Sequence, residues 1–294
     1  MQKKLNRAAV FAHYDKNSKI EDYVVFYLKE LNKIASKIVF VSDSDVDEKE
    51  LEKIKPYTIK QIAKRHFEYD FGSYKRGVQF LKESNLLENF DELIFANDST
   101  YAPLFDFKIM FEKMEKSNAS FWGVTSNNEI QMHLQSYFLV FKKEVFLSDY
   151  FLNFISNVKK EKTKEDVVIN YEVNLTNYLA KNGFSYDFYC KTFKDIPSNH
   201  LNCYRDLILK DNCPFLKRGL VLFNQIGYNY PLFIKNLIKK TSYDYSLIEK
   251  DKINQKPLSK FEHIKLFIKS IKKQFLKIYF KKRCVLFLGK WYWF

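Results

Sequence analysis

The chain has 294 residues, 46% of them hydrophobic and 18% aromatic, which is enough to fill one large α/β domain or a domain with an appendage and excludes a disordered polymer. Seven Gly and six Pro argue against collagenous or turn-dominated architectures, and no fixed-period repeat is visible. The net charge of +14 is concentrated at one end: from Lys256 onward eleven Lys or Arg face one acid, Glu262, so the body is nearly balanced and lacks the basic stripe that nucleic acid requires.

Cys190, Cys203, Cys213 and Cys284 form no CxxC pair, and the N-terminal residues lack the long apolar core of a secretory signal. A reducing, cytoplasmic setting is expected. No uncharged apolar stretch reaches the roughly 18 residues of a membrane-spanning helix.

In chain order, strands and amphipathic helices alternate, the pattern of a mostly parallel sheet covered on both faces. Arg7 to Tyr14 reads as a strand buried on both sides, and Ile20 to Ile34 as a helix with Val24, Leu28 and Leu31 on one face. Lys37 to Ser42 is a second strand, Glu48 to Ile54 a short helix, and Tyr57 to Ile62 a third strand. The segment from His66 to Gly77 breaks the pattern and opens a helix capped by Ser73 and running to Leu87. Asp91 to Ala96 is the clearest strand, followed by a helix from Leu104 to Lys116 and a strand from Ser120 to Val124. Leu134 to Phe141 alternates like a strand and Glu144 to Val158 like a helix. Glu172 to Asn182 is a helix closed by Gly183, before a strand from Ser185 to Cys190. The remainder reads as helical.

Three constellations carry candidate chemistry. In Asp70-Phe71-Gly72-Ser73-Tyr74-Lys75, an acid, a flexible glycine and a cation meet at a helix start. The acid suits a base or ribose hydroxyl, and the helix N-terminus with Lys75 suits phosphate; a capped helix with a solvated lysine is the plainer alternative. Asn97-Asp98-Ser99 ends a buried strand, where open α/β sheets bind ligands, and Asp98 is the candidate to hold Mg²⁺ or Mn²⁺; an Asx-type turn is the alternative. Glu172 stands at a helix entrance as a candidate general base, or as an acid that complements the helix dipole. His133 and Gln135 project to one side of a strand and are candidates to bind acceptor hydroxyls. His200, in a loop, is either a late metal or phosphate ligand or a surface histidine.

These stretches together resemble the rhamnan synthesis protein F family of glycosyltransferases with the GT-A fold. The resemblance is carried by Phe71-Gly72-Ser73-Tyr74-Lys75, Asn97-Asp98-Ser99 with Ala102-Pro103, His133-Leu134-Gln135-Ser136-Tyr137-Phe138, Glu172 with Leu175-Thr176 and Gly183, and Pro214-Phe215-Leu216-Lys217. It implies a GT-A-like, Rossmann-type domain over residues 1–220 and a helical C-terminal extension over 221–294. It further implies a nucleotide-diphosphate sugar donor, bound by Asp70, Gly72, Tyr74, Lys75, Asn97 and Ser99, and a cell-surface glycan or lipid-linked glycan acceptor. Asn97-Asp98-Ser99 resembles the Asp-x-Asp metal motif with one carboxylate kept, so a divalent cation is the expected cofactor and its necessity is open. The alternative is a sugar- or membrane-binding module on a degenerate transferase fold.

At the C-terminal end, Ile264, Ile268, Ile271, Phe275 and Ile278 recur at helical spacing opposite Lys265, Lys269, Lys272, Lys273 and Lys277, and Trp291, Tyr292, Trp293 and Phe294 follow. This composition fits an interfacial helix on an anionic membrane at the inner face of the cell membrane; a helix packed on the domain is the alternative.

Overall fold

The structure, a computed structural model, describes residues 5–223, 231–255, 265, 268, 284–287 and 290–293. Its frame is a seven-stranded sheet. The strands are β1 (Arg7–His13), β2 (Lys37–Ser42), β3 (Lys60–Ala63), β4 (Glu92–Asn97), β5 (Phe121–Gly123), β6 (Phe138–Lys142) and β7 (Tyr186–Phe188), in the spatial order β7-β5-β6-β4-β1-β2-β3. Neighbours run parallel except at β6, which is antiparallel to both β4 and β5. This is the α/β arrangement expected from the sequence, a mostly parallel central sheet flanked by helices.

Alternation along the central strands divides the core in two. Ala8, Val10, Val39, Leu93 and Phe95 face helices α2 (Tyr69–Glu83) and α4 (Asp149–Ser156) through Phe71, Tyr74, Val78, Leu81, Phe151 and Ile155. Ala9, Phe11, Phe40 and Ile94 face α1 (Asp22–Leu31) and α3 (Phe107–Met114) through Tyr27, Leu28, Phe107 and Phe111. The helices Pro231–Ile238 and Tyr245–Asn254 pack into this second layer through Ile234, Leu237, Ile238 and Ile248.

Several expectations are corrected. Helix α2 begins at Tyr69, four residues before Ser73, and Ser73 is no cap: it is buried inside the helix with its hydroxyl 3.0 Å from His66 Nε2. The loop before α2 is held by tertiary contacts that a local reading does not contain. Asp43 accepts hydrogen bonds from the amides of His66 (2.7 Å) and Phe67 (2.8 Å), and Phe67 and Tyr69 adopt φ values of 62° and 56°. The strand expected over Leu134 to Phe141 is two elements, a bridge strand His133–Leu134 paired with Ser126–Asn127, and β6. Glu172 stands not at a helix entrance but inside a helical run over 164–181, in its π-helical stretch Val168–Val173. The C-terminal end is not wholly helical: Cys284–Phe287 and Lys290–Trp293 form an antiparallel hairpin. Most of the amphipathic helix expected over 264–278 lies outside the described residues.

Helix α2 approaches β1 so closely that a Cβ on Gly77 would lie 2.2 Å from Val10 Cγ1. Val10 is β-branched and buried in a central strand, so it has little room to turn away. Gly77→Ala gains up to about 1 kcal/mol of helix propensity but overpacks the core at a cost of about 1–3 kcal/mol. The variant is expected to unfold at lower denaturant concentration than the parent, and Val10→Ala added to it should recover part of the loss. An unchanged or higher midpoint for the single variant rules out this close approach.

Candidate functional site

β1 and β4 run together and β6 runs against them, so the residues after β1 and β4 and those before β6 meet at one sheet edge. Backbone bonds fix the meeting: Asp98 N donates to Ala12 O and Asn97 N to Tyr137 O, both at 3.2 Å. A second connection brings in a distant segment. Leu216–Lys217 pairs antiparallel with Thr100–Tyr101, setting Lys217 opposite Thr100, and Arg218 N donates to Ser99 O at 2.9 Å.

The side chains form a relay along this edge. Asn97 Nδ2 donates to Asp70 Oδ2 at 2.8 Å, while Asn97 Oδ1 accepts from Ser99 N at 3.1 Å and Ser99 Oγ at 2.6 Å. Lys217 Nζ donates to Ser99 Oγ at 3.1 Å and lies 4.3 Å from the centre of the Tyr137 ring. Asp98 Oδ2 accepts from the Tyr14 amide at 3.1 Å and is 3.9 Å from Nε2 of the buried His13. The turn reading of Asn97-Asp98-Ser99 is therefore realised, by Asn97.

Glu172 reaches the edge from the helical run. It accepts from Ser136 N at 3.0 Å, from the Ser136 hydroxyl and from Gln135 Nε2 at 3.3 Å, and its Oε1 is 3.6 Å from His133 Nε2. His133 Nδ1 lies 2.7 Å from Gln131 O, so this nitrogen carries a proton.

Four charged groups thus share a poorly solvated space. Burial raises Asp70, and the negative charge of Asp98 adds to it; against the opposing pull of Lys217 and Lys164 its pKa settles at about 7. Burial likewise raises Asp98 to about 7 despite Arg218 and the Tyr14 amide. Burial pushes Glu172 upward too, but the neighbouring His133 imidazole, the hydrogen bonds from Ser136 and the charge of Lys217 outweigh it and hold the pKa at about 2. Burial lowers Lys217 to about 8, with Glu172, Asp70 and Asp98 all favouring its ammonium form.

The structure therefore brings Asp70, Asn97, Asp98, Ser99, His133, Gln135 and Glu172 together, and it commits the other expected donor ligands elsewhere. Tyr74 is buried, stacked on Phe95 at 4.2 Å, with its hydroxyl donating to Ser136 O at 3.0 Å. Lys75 Nζ donates to Val158 O at 2.7 Å and is committed to that carbonyl. Gly72 is a packing requirement rather than a flexible hinge, since a Cβ there would lie 2.2 Å from Glu68 Cβ. His200 sits in the one-turn helix Asn199–Asn202, its ring centroid 6.2 Å from that of Tyr137. With Thr100, Tyr137 and Lys217 it lines a cavity of about 10 Å³, and its buried Nδ1 has no hydrogen-bond partner among the described residues. Burial and Lys217 lower its pKa to about 3, so it is neutral.

The fit of a divalent cation follows from the donors. Among the described residues no three His, Cys, Asp or Glu side chains are arranged to hold a metal ion. One oxygen of Asp98 is taken by Tyr14 N, and one of Asp70 by Asn97. Laid over Asn97-Asp98-Ser99, the Asp-x-Asp pattern has its third position at Ser99, whose hydroxyl lies between Asn97 and the Lys217 ammonium. Hard cations need several oxygen ligands; these side chains offer at most one uncommitted oxygen from each of Asp70 and Asp98, with the Lys217 ammonium acting on both.

Lys217, Ser136 and Arg218 were not assigned roles from the sequence. The available signal for Lys217 was a cation ending the apolar run Pro214-Phe215-Leu216, a position where a solvated lysine is unexpected.

The virulence protein VirA of Vibrio anguillarum is 29% identical to this chain over 201 residues, 63% of this chain and 64% of that protein. A Sinorhizobium fredii protein is 28% identical over 151 residues, 50% of this chain and 39% of the relative. The chain thus spans less than two thirds of the length of these relatives. Among solved structures, a cytidylyltransferase from Leptospira borgpetersenii is similar with a TM-score of 0.41 and 14% identity, covering 87% of this chain and 100% of that one. A glycosyltransferase involved in glycosylating the major capsid of PBCV-1 has a TM-score of 0.40 and 9% identity, covering 72% of this chain and 92% of that one. These structural likenesses are loose and carry no chemistry to this site. The family model of rhamnan synthesis protein F matches residues 38–292, most of the sequence, and the chain belongs to that family.

Proposed function

We propose that the protein is a glycosyltransferase that moves a sugar from a nucleotide-diphosphate donor onto a glycan or lipid-linked glycan acceptor in surface polysaccharide synthesis. The observation that carries this reading is the convergence of Asp70, Asp98 and Glu172 around Lys217 at the carboxyl edge of a mostly parallel sheet. Family membership and the place of this cluster at the carboxyl ends of the strands both support it.

The bonding pattern divides labour among the carboxylates. A general base works best with a pKa near the operating pH. Glu172, the base expected from the sequence, is held at about 2 by its donors and is a poor proton acceptor. Its contacts instead fix His133, Gln135 and Ser136, polar groups suited to acceptor hydroxyls. Asp70, partly exposed and at about 7, is the better matched base. Attack by the deprotonated hydroxyl from the face opposite the leaving diphosphate gives inversion at the anomeric carbon.

Asp70→Asn is expected to lower the turnover number by about 10²- to 10⁴-fold, the usual worth of a positioned base, with donor affinity largely kept. Glu172→Gln should chiefly raise KM for acceptor and lower thermal stability, because it weakens charge-assisted bonds worth about 1.5–3 kcal/mol each. Steady-state transfer assays corrected for donor hydrolysis separate the two. Full turnover in Asp70→Asn removes it as the base, and a collapse of turnover at unchanged KM in Glu172→Gln returns that role to Glu172.

The basic C-terminal segment is proposed to hold the protein on an anionic membrane surface. Each near-surface cation contributes about 1 kcal/mol, so binding should fall steeply with salt. The full chain is expected to float with phosphatidylserine vesicles at low ionic strength and to lose them at high. A chain ending at Pro257 that floats equally well locates the contact elsewhere.

A further inference from the structure

We propose that the Lys217 ammonium is the cation that neutralises the donor's diphosphate as it leaves, in the position a divalent ion would otherwise fill, and that transfer proceeds without a metal. The inference rests on the donor reading above and adds to it the means by which the leaving group is stabilised.

Position is the first support. The ribbon formed by Leu216–Lys217 and Thr100–Tyr101 delivers Lys217 to Ser99, the third residue of Asn97-Asp98-Ser99, and Nζ bonds Ser99 Oγ at 3.1 Å. A cation is therefore bonded where the resemblance would place a second metal-binding carboxylate. Anchoring is the second. Tyr137 lies under the ammonium at 4.3 Å, and Arg218, the next residue, is locked to Asp251 by bonds of 2.7 and 2.6 Å, so the lysine stands on a fixed backbone. Charge is the third. Glu172, Asp70 and Asp98 all act on Lys217, so the cation is already the focus of the site's negative groups. A divalent ion added beside it would face ammonium repulsion, with one oxygen each of Asp98 and Asp70 already committed to Tyr14 N and Asn97.

The proposed step balances. The acceptor oxygen bonds to the anomeric carbon, and its proton passes to the Asp70 carboxylate. The bond from that carbon to the diphosphate oxygen breaks with its electron pair staying on the diphosphate. Lys217 donates to the phosphate oxygens on which this charge appears. An ammonium that is poorly solvated beforehand loses little hydration on meeting them, which makes the interaction stronger than at an exposed lysine.

Titration calorimetry on the purified full chain with UDP, GDP, ADP, CDP and dTDP, first in EDTA and then with Mg²⁺ or Mn²⁺, tests the inference. At least one diphosphate is expected to bind in EDTA, with no gain on adding metal. Lys217→Met should weaken that binding about 10- to 100-fold, the worth of a charge-assisted hydrogen bond, and Lys217→Arg should retain part of it. Circular dichroism melts of both variants separate a misfolded chain from a missing ligand. Transfer by the parent protein should survive EDTA, and methylamine should restore some transfer to Lys217→Met. Binding or transfer that appears only with metal, or a folded Lys217→Met that binds as the parent does, overturns the inference while leaving the donor reading intact. If no nucleoside diphosphate binds the parent protein in either condition, the donor reading falls and the inference with it.

Discussion

Three carboxylates placed at one desolvated sheet edge repel each other, and the arrangement depends on a single lysine set among them. Asp70 and Asp98 already hold their protons to about neutral pH, chiefly because both are buried, and for Asp70 also because Asp98 and Glu172 repel its charge. Lys217 opposes it for Asp70 and for Glu172, and the two-residue ribbon that carries it is what brings residue 217 to residue 100. Around this lysine the relay from Asp70 through Asn97 and Ser99 leaves every participating polar atom with a partner suited to its charge.

The ribbon has its own support, drawn from the C-terminal part of the described chain. Arg218 pairs bidentately with Asp251, which is fully buried, and the same carboxylate accepts from the Tyr101 hydroxyl at 2.6 Å. Tyr101 and Arg218 belong to the two sides of the ribbon's junction, so Asp251 clamps both. Arg218 also lies 5.0 Å from the centre of the Tyr23 ring, and Tyr23 in turn donates to Asp98 O at 3.1 Å. Loss of one member of a buried pair typically costs about 3–5 kcal/mol because the other is left unpaired. The helix Tyr245–Asn254 is in this way coupled to the edge that carries Asp98, by packing and by charge.

The parts of this structure legible in the sequence are those decided by local pattern. Arg7 to His13 and Glu92 to Asn97 are wholly buried runs with almost no charge inside them, and such runs become central parallel strands. The end of the second run pointed to Asn97-Asp98-Ser99, and the structure sets Asp70 and Glu172 beside it. Features decided by long-range contacts were not legible. The start of α2 moved to Tyr69 because Asp43, on another strand's end, fixes the loop in a left-handed turn at Phe67. Lys75 and Tyr74 read as ligands from adjacency to Gly72, but helical periodicity turns Tyr74 into the core and carries Lys75 to Val158. Lys217 ends the run Pro214-Phe215-Leu216 with no role legible there, because a two-residue strand has no periodicity to announce which segment it will meet.

Counting donors explains why residues of one chemical type come to differ in charge state. A carboxylate that accepts from an amide, a hydroxyl and a side-chain amide, with an imidazole nitrogen beside it, is stabilised as an anion and has little use for a proton; that is Glu172. A carboxylate with one amide donor, a neighbouring carboxylate and partial exposure has much use for one; that is Asp70. The π-helical stretch Val168–Val173 contributes to this contrast. The extra residue in a π turn rotates the positions that follow it relative to a regular helix, and Glu172, in that stretch, meets the turn at Gln135 and Ser136, while Tyr171 is directed to Phe71 and Phe154. The sheet edge places the carboxylates near one another, and the number of N–H and O–H groups turned toward each decides which keeps its charge and which exchanges a proton.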